Sequence, residues 1–216
     1  SNLALGIGLL IVLFVIPMYF ASLVRQLHTA LSQMRAMATR DALTGLPNRH
    51  SFYEQLHLTI RRGEQKGTPF AVVFVDLDGF KPINDALGHA VGDAVLTSVS
   101  RRLEHCVRRH DIISRYGGDE FVIILNDIRK NEVPAVAGKI IHAIARPHEL
   151  GNHTVSLTSS VGIATYPEGG RTVDELISHA DSAMYQSKRA GGRSFCLDGV
   201  LQSANVSAPS GSAYNA

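Results

Sequence analysis

The chain has 216 residues, 45% of them hydrophobic, and a formal net charge of +2. That leaves room for one ordinary domain with appendages, and the balance of charge, with no dense basic stripe, excludes a nucleic-acid footprint. The two cysteines, Cys106 and Cys196, lie far apart with no C-x-x-C pairing. They fit neither a zinc site nor a disulfide scaffold and agree with a reducing compartment.

In chain order, the first segment is the compositional outlier. "LALGIGLLIVLFVIPMYFASLV", residues 3–24, carries no ionisable side chain except Tyr19. A stretch of that length can cross ~30 Å of hydrocarbon as a helix, and the expectation is a transmembrane helix over 3–24. Arg25, Arg35 and Arg40 follow it, so the remainder is expected on the cytoplasmic side by the positive-inside rule. The chain begins Ser-Asn, and a sensory region is expected to precede it. Residues 25–40 read as a helical linker, with Val24, Leu27, Leu31, Met34 and Ala38 at the alternating three-and-four spacing of a coiled-coil seam.

"DALTGLPNRHSF" breaks that helix at Gly45 and Pro47 and leads into a new one near Arg49. "FAVVFVDLDGF" is a continuous apolar run, the pattern of a strand buried on both faces, and it ends in Asp76 and Asp78. "GDAVLTSVSRRLEHCV" reads as a helix. "DIISRY" and "EFVIIL" then flank Gly117–Gly118 as a hairpin, with positive φ expected at both turn glycines. A helix in "VPAVAGKIIHAIARP", two strand-like pieces in "HTVSLTSSVGIATYP", an amphipathic helix in "TVDELISHADSAMYQSKRAGG" and a short strand in "SFCLD" complete the domain over 41–199. Residues 200–216 are Ser/Ala/Gly/Pro-rich and read as a disordered tail. The order predicts an α+β fold with a mostly antiparallel central sheet surrounded by helices.

Two strand ends thus carry acidic pairs, Asp76/Asp78 and Asp119/Glu120. Residues two apart on a strand share a face. If the hairpin pairs beside the first strand, three or four carboxylates converge, and hard divalent ions with oxygen ligands suit such a cluster. Taken one pair at a time, acidic residues merely cap strands and decorate turns.

These residues carry a resemblance. "GGDEF" is the signature of the diguanylate cyclase family, and "DALTGLPNR", "VDLDGFKPINDALGHAVGD", "RRHDIISRYGGDEF", "SVGIATYP" and "ADSAMYQSK" follow the family in order, from about Asp41 to Phe195. The resemblance implies a nucleotide-cyclase or polymerase-palm-like fold. It also implies condensation of two GTP into cyclic di-GMP with release of two pyrophosphates, in a homodimer whose domains face each other. Two Mg²⁺ or Mn²⁺ ions per active site are implied, held by Asp76, Asp119 and the Leu77 carbonyl, with Asp78 as a further carboxylate. Glu120 resembles the family's essential acidic residue, acting on the attacking hydroxyl or on a metal. Asn84 and Asp93 match the guanine readers. From the residues alone, Asp93 equally reads as the cap of the following helix. Lys81, Lys188 and Gly118 match phosphate contacts. His89 reads as a structural buttress of its loop. The family's K-x-x-G-R reads "KRAGGR" here, one residue longer, which leaves Arg193 unassigned.

Arg108 and Asp111 form an R-x-x-D upstream of the hairpin, the position of the family's inhibitory cyclic di-GMP site. The bland alternative is a surface ion pair. The expected location is the bacterial inner membrane, with the catalytic domain in the cytoplasm and a role in the switch between motile and sessile life. A binding module for GTP or cyclic di-GMP without turnover is the alternative function. A regulatory half of a larger cyclase–phosphodiesterase ranks below both.

Overall fold

Nine residues, Phe70–Asp78, form the axial strand β1, buried along eight of its nine positions. In the computed structural model, which describes residue 14 and residues 16–203 (without the side chains of 28–38), the chain divides at Thr39/Arg40 into two units. The first contains helix α1, Ile16–Thr39. The second contains α2 (Arg49–Lys66), β1, α3 (Phe80–Leu87), α4 (His89–Glu104), β2 (Ile112–Gly117), β3 (Glu120–Leu125) and α5 (Val133–Ala145). It continues with β4 (His148–Leu150), β5 (His153–Val155), β6 (Thr158–Tyr166), α6 (Val173–Arg189), β7 (Ser194–Leu197) and β8 (Val200–Ser203).

The expected membrane span, residues 3–24, lies for the most part outside the described residues. Among the described residues no helix is long and apolar enough to cross a membrane. The linker expected over 25–40 is helical to Thr39, and α1 exposes Ile16, Met18, Phe20, Leu23 and Leu27.

Six strands form one sheet in the order β2-β3-β1-β6-β7-β8, antiparallel throughout except for the parallel β6–β7 pair. The alternation of β1 divides the core. Ala71, Val73, Val75 and Leu77 pack under α3, α4 and α5; Phe70, Val72 and Phe74 pack under α2 and α6. The sheet is therefore covered on both faces, which is why β1 reads as an unbroken apolar run.

Local chemistry explains the element ends. Asn48 caps α2 by accepting from the Ser51 amide, and Gly67 closes that helix at φ 65°. Thr172 and Glu175 form a reciprocal capping box at the start of α6. Two elements differ from the sequence reading. Residues 200–203, assigned to a tail, form β8 against β7, while the rest of that tail lies outside the described residues. Asp93 does not cap a helix: α4 begins four residues earlier behind Gly88, and Asp93 sits inside its second turn, its carbonyl accepting from Thr97 Oγ1.

The approach of α6 to the sheet is set at Gly162. A Cβ placed there would lie 2.0 Å from both the Ala180 carbonyl oxygen and the Met184 amide nitrogen, so helix backbone rests directly on strand backbone. Gly162→Ala must lift α6 and is expected to cost about 1–3 kcal/mol, read as a lower urea midpoint at unchanged m-value.

Candidate active site

The site grows from the end of β1. Asp76 follows Phe74 in alternation, which puts its carboxylate on the α6 side of the sheet, and it is only 6% exposed. It lies directly opposite Glu120 of β3 and Ser160 of β6. Like charges facing each other across a ladder repel, and a buried carboxylate needs a partner. Lys188 supplies it, with Nζ 2.7 Å from Asp76 Oδ1. The lysine stands one helical turn beyond Met184, which rests on Gly162, so the close helix–sheet contact delivers the ammonium to the strand end. The hydrogen bond to Asp76 raises the Lys188 pKa, against the opposing effect of burial, and the charges of Asp76, Asp119 and Asp78 add to it.

Asp119 and Glu120 sit at the hairpin. Both are half-buried, and both carboxyls are pushed upward, first by burial and then by Asp76. Glu120 is raised further by Asp119 and by Asp181 of α6. The turn differs from the sequence expectation. Gly117 belongs to β2 and pairs with Glu120 after a register shift at Arg115/Gly117. The central residues are Gly118 and Asp119, and of these only Gly118 has positive φ, 51°.

A strap holds the hairpin from outside. Arg115 donates through Nε and Nη2 to the Gly118 carbonyl, and through Nη1 to both Asp41 oxygens at 3.1 Å. Asp41 also accepts from the amide and hydroxyl of Thr44. "DALT" is thus the far end of the turn's support, a role its sequence position does not disclose.

The remaining expected residues are placed as follows. Asp78 accepts from Thr158 Oγ1 at 2.9 Å and Ser160 Oγ at 2.7 Å. Gly192 lies so close that a Cβ there would meet Asp78 Oδ2 at 2.4 Å. Both Asp78 oxygens therefore accept from hydroxyls of β6, and the carboxylate lies against the loop after α6. The backbone of Leu77 pairs with Ser159 of β6 but lies beyond the last β1–β3 pair. Asn84, half-buried on α3, has its side chain against Gly92, next to the exposed Asp93. Lys81 is exposed in the first turn of α3, whose N-cap Gly79 offers no side chain to the free amides. His89 is exposed as the first residue of α4. Arg193 adopts φ 52° in the loop before β7.

Arg108 and Asp111 come together, though not as an ion pair. Asp111 Oδ2 accepts from the Arg108 backbone amide at 2.7 Å, and Oδ1 from the Asn126 amide at 2.9 Å. The Arg108 side chain is exposed beside a cavity of about 280 Å³ that also touches Asp111, Asn126 and Lys139.

The donor chemistry of Asp76, Asp119 and Glu120 suits a hard divalent cation. Oxygen ligands dominate, and their mutual repulsion, which adds to burial in raising the pKa values of Asp119 and Glu120, is what such an ion relieves. Among the described residues no group of three or more His, Cys, Asp or Glu side chains is already gathered at metal-holding geometry. The Lys188 ammonium is the cation nearest Asp76.

Residues 38–194 match the family described as "Diguanylate cyclase, GGDEF domain". The chain belongs to the GGDEF family. A relative in Pseudomonas aeruginosa, the bifunctional diguanylate cyclase/cyclic di-GMP phosphodiesterase MucR, is 38% identical over 184 residues, 85% of this chain and 27% of its own length. The chain thus spans about a quarter of that relative. Among solved structures, the GGDEF domain of TpbB from P. aeruginosa superimposes with a TM-score of 0.72 at 39% identity, covering 74% of this chain and 94% of that one. The coiled coil and GGDEF domain of DgcB from Caulobacter crescentus, solved with c-di-GMP, gives 0.75 at 28% identity, covering 82% and 94%.

As a GGDEF domain, the chain keeps its charge conflict at the hairpin. A carboxyl whose folded pKa is raised binds protons more tightly folded than unfolded. Stability should then fall as pH rises from the unfolded carboxylate range through the raised values of Asp119 and Glu120. Glu120→Gln is expected to flatten that fall and to stabilise the ligand-free protein at pH 7 by under about 1 kcal/mol, since solvent screens a half-exposed pair. Urea titrations between pH 4 and 8 measure it; a destabilised variant at pH 7 would contradict the assignment of repulsion.

Proposed function

We propose that the chain is a diguanylate cyclase, joining two GTP molecules into cyclic di-GMP and releasing two pyrophosphates. The observation that carries this reading is the convergence of Asp76, Asp119 and Glu120 with the Lys188 ammonium at one sheet end. In each half-reaction the 3′-oxygen of one GTP bonds to the α-phosphorus of the other, the α–β anhydride bond breaks, and the hydroxyl proton departs. Glu120, held toward its protonated form by burial and by Asp76, is a stronger proton acceptor than an ordinary carboxylate and takes that proton. Mg²⁺ or Mn²⁺, held by Asp76, Asp119 and the Leu77 carbonyl, would lower the hydroxyl pKa and offset phosphate charge.

Lys188, with its side chain 48% exposed, has reach enough to bond a phosphate instead of Asp76. Gly118, exposed and without a side chain, lets the turn backbone approach the phosphates, and Lys81 adds a second cation. Asn84 and Asp93, neighbours at the α3–α4 corner, read the guanine edge, the carboxylate accepting from N1–H and N2–H. Because each domain holds one GTP, turnover needs two domains face to face, and the proposal includes a homodimer stalked by residues 25–40. Membrane attachment at the inner bacterial membrane rests on the uncharged stretch 3–24 and the arginines after it.

The full chain with Mg²⁺ and GTP is expected to form cyclic di-GMP, with Glu120→Ala lowering the rate at least about 100-fold at unchanged circular dichroism. A folded, dimeric wild type that makes no product would establish the binding-module reading instead. Cyclic di-GMP is proposed to inhibit at Arg108 and Asp111, on the support of the exposed guanidinium beside its cavity. Arg108→Ala should abolish product inhibition while leaving the initial rate in place, and inhibition curves that superimpose on wild type would refute it.

A further inference from the structure

One cavity lies away from the carboxylates, between the C-terminal halves of α4 and α5. It measures about 530 Å³ and is lined by Ser98, Cys106, Ala143 and six basic side chains: Arg101, Arg102, His105, Lys139, His142 and Arg146. No lining residue is acidic, and none of the six takes part in an ion pair among the described residues.

Two of these cations are fixed by carbonyl groups. Arg102 donates to the carbonyls of Ala143 and Pro147 at 2.9 and 2.6 Å, and also contacts those of Ile144 and Arg146 and the ring of His148. Lys139 donates to the carbonyls of His105 and Cys106 at 2.9 and 3.1 Å. Each cation thus closes the C-terminal end of the opposite helix, a favourable dipole contact that leaves its full charge without a carboxylate beside it. Arg101, His142 and Arg146 are exposed at the mouth. Burial first, and then the neighbouring Arg146 charge, push the Arg102 pKa downward. His105 donates from Nδ1 to the Arg101 carbonyl, leaving Nε2 for another partner.

A pocket of this size that gathers like charges, with helix-end carbonyls against two of them and no carboxylate in its lining, is stabilised by an anion. A bare phosphate would leave most of the volume empty, while Cys106 and Ala143 offer an apolar wall for a ring. We infer that the α4–α5 cavity binds a nucleotide, its phosphates on Arg101 and Arg146 and its base against the Cys106–Ala143 wall. The site is separate from the carboxylate cluster. It shares only Cys106 and Lys139 with the cavity beside Arg108, so it does not depend on the cyclase reading.

The test is calorimetric titration of the full chain with ADP in metal-free buffer. Saturable binding is expected, weakened at least about tenfold by Arg101→Glu/Arg146→Glu, weakened by added salt and unchanged by Arg108→Ala. Should the double variant unfold, Arg146→Gln alone is expected to weaken binding in the same direction. The inference is overturned by absence of saturation, by equal affinity in the charge-reversed variant, or by loss in Arg108→Ala. It is also overturned if inorganic phosphate binds as tightly as ADP. Tighter binding of a decaglutamate peptide would likewise overturn it, in favour of a protein partner.

Discussion

The contact between α6 and β6 at Gly162 is the constraint on which the site depends. No side chain intervenes where the Ala180 carbonyl and the Met184 amide meet the strand. A strand glycine normally weakens a sheet, and here the compensation is an approach that no other residue allows. The helix continues for one turn past Met184, and Lys188 arrives over Asp76. A helix held further away would leave a carboxylate 6% exposed without a cation, which is far costlier than the glycine itself.

That cation settles only part of a deliberate conflict. Asp76 and Glu120 are partners in register, Asp119 is beside them, and Asp181 adds a further negative charge from α6. A sheet optimised for stability would place hydroxyls or apolar residues there. The neighbouring Asp78 shows the stable alternative: a carboxylate two residues on, both oxygens satisfied by Thr158 and Ser160. The two aspartates on one face thus differ in kind: Asp78 is braced by two hydroxyls, while among the described residues Asp76 is held by the Lys188 ammonium alone.

Much of this was legible in the sequence, and for identifiable reasons. The apolar run of β1, the two halves of the hairpin and the amphipathic α6 follow from periodicity, and the acidic pairs at their ends follow from position. The match of "GGDEF" and its companion stretches named the family. What escaped depends on contacts between segments distant in sequence. Nothing local to Asp78 announces hydroxyls 80 and 82 residues away. "GD" before an apolar run resembles a cap, yet α4 starts earlier because Gly88 at φ 84° ends α3 and opens the next helix at once. β8 reads as tail in the sequence because four residues carry too little pattern. Gly162 alone gave a usable signal, an isolated glycine inside a strand-like run, which marks close backbone approach.

The position of Asp41 bears on where the domain begins. α1 ends at Thr39, and two residues later a carboxylate binds the arginine that also grips the Gly118 carbonyl. The Asp41 carboxylate accepts four hydrogen bonds, two from Arg115 and two from Thr44. Together they hold its pKa down against the opposing effect of burial. The loop is further pinned where the Arg115 amide donates to the Pro47 carbonyl at 3.0 Å. The boundary drawn at residue 41, from the helix break and the start of the family resemblance, therefore does not fall in a linker. It falls on the outer anchor of the turn that carries Asp119 and Glu120, and any truncation past Arg40 removes a support of the acidic hairpin rather than a spacer.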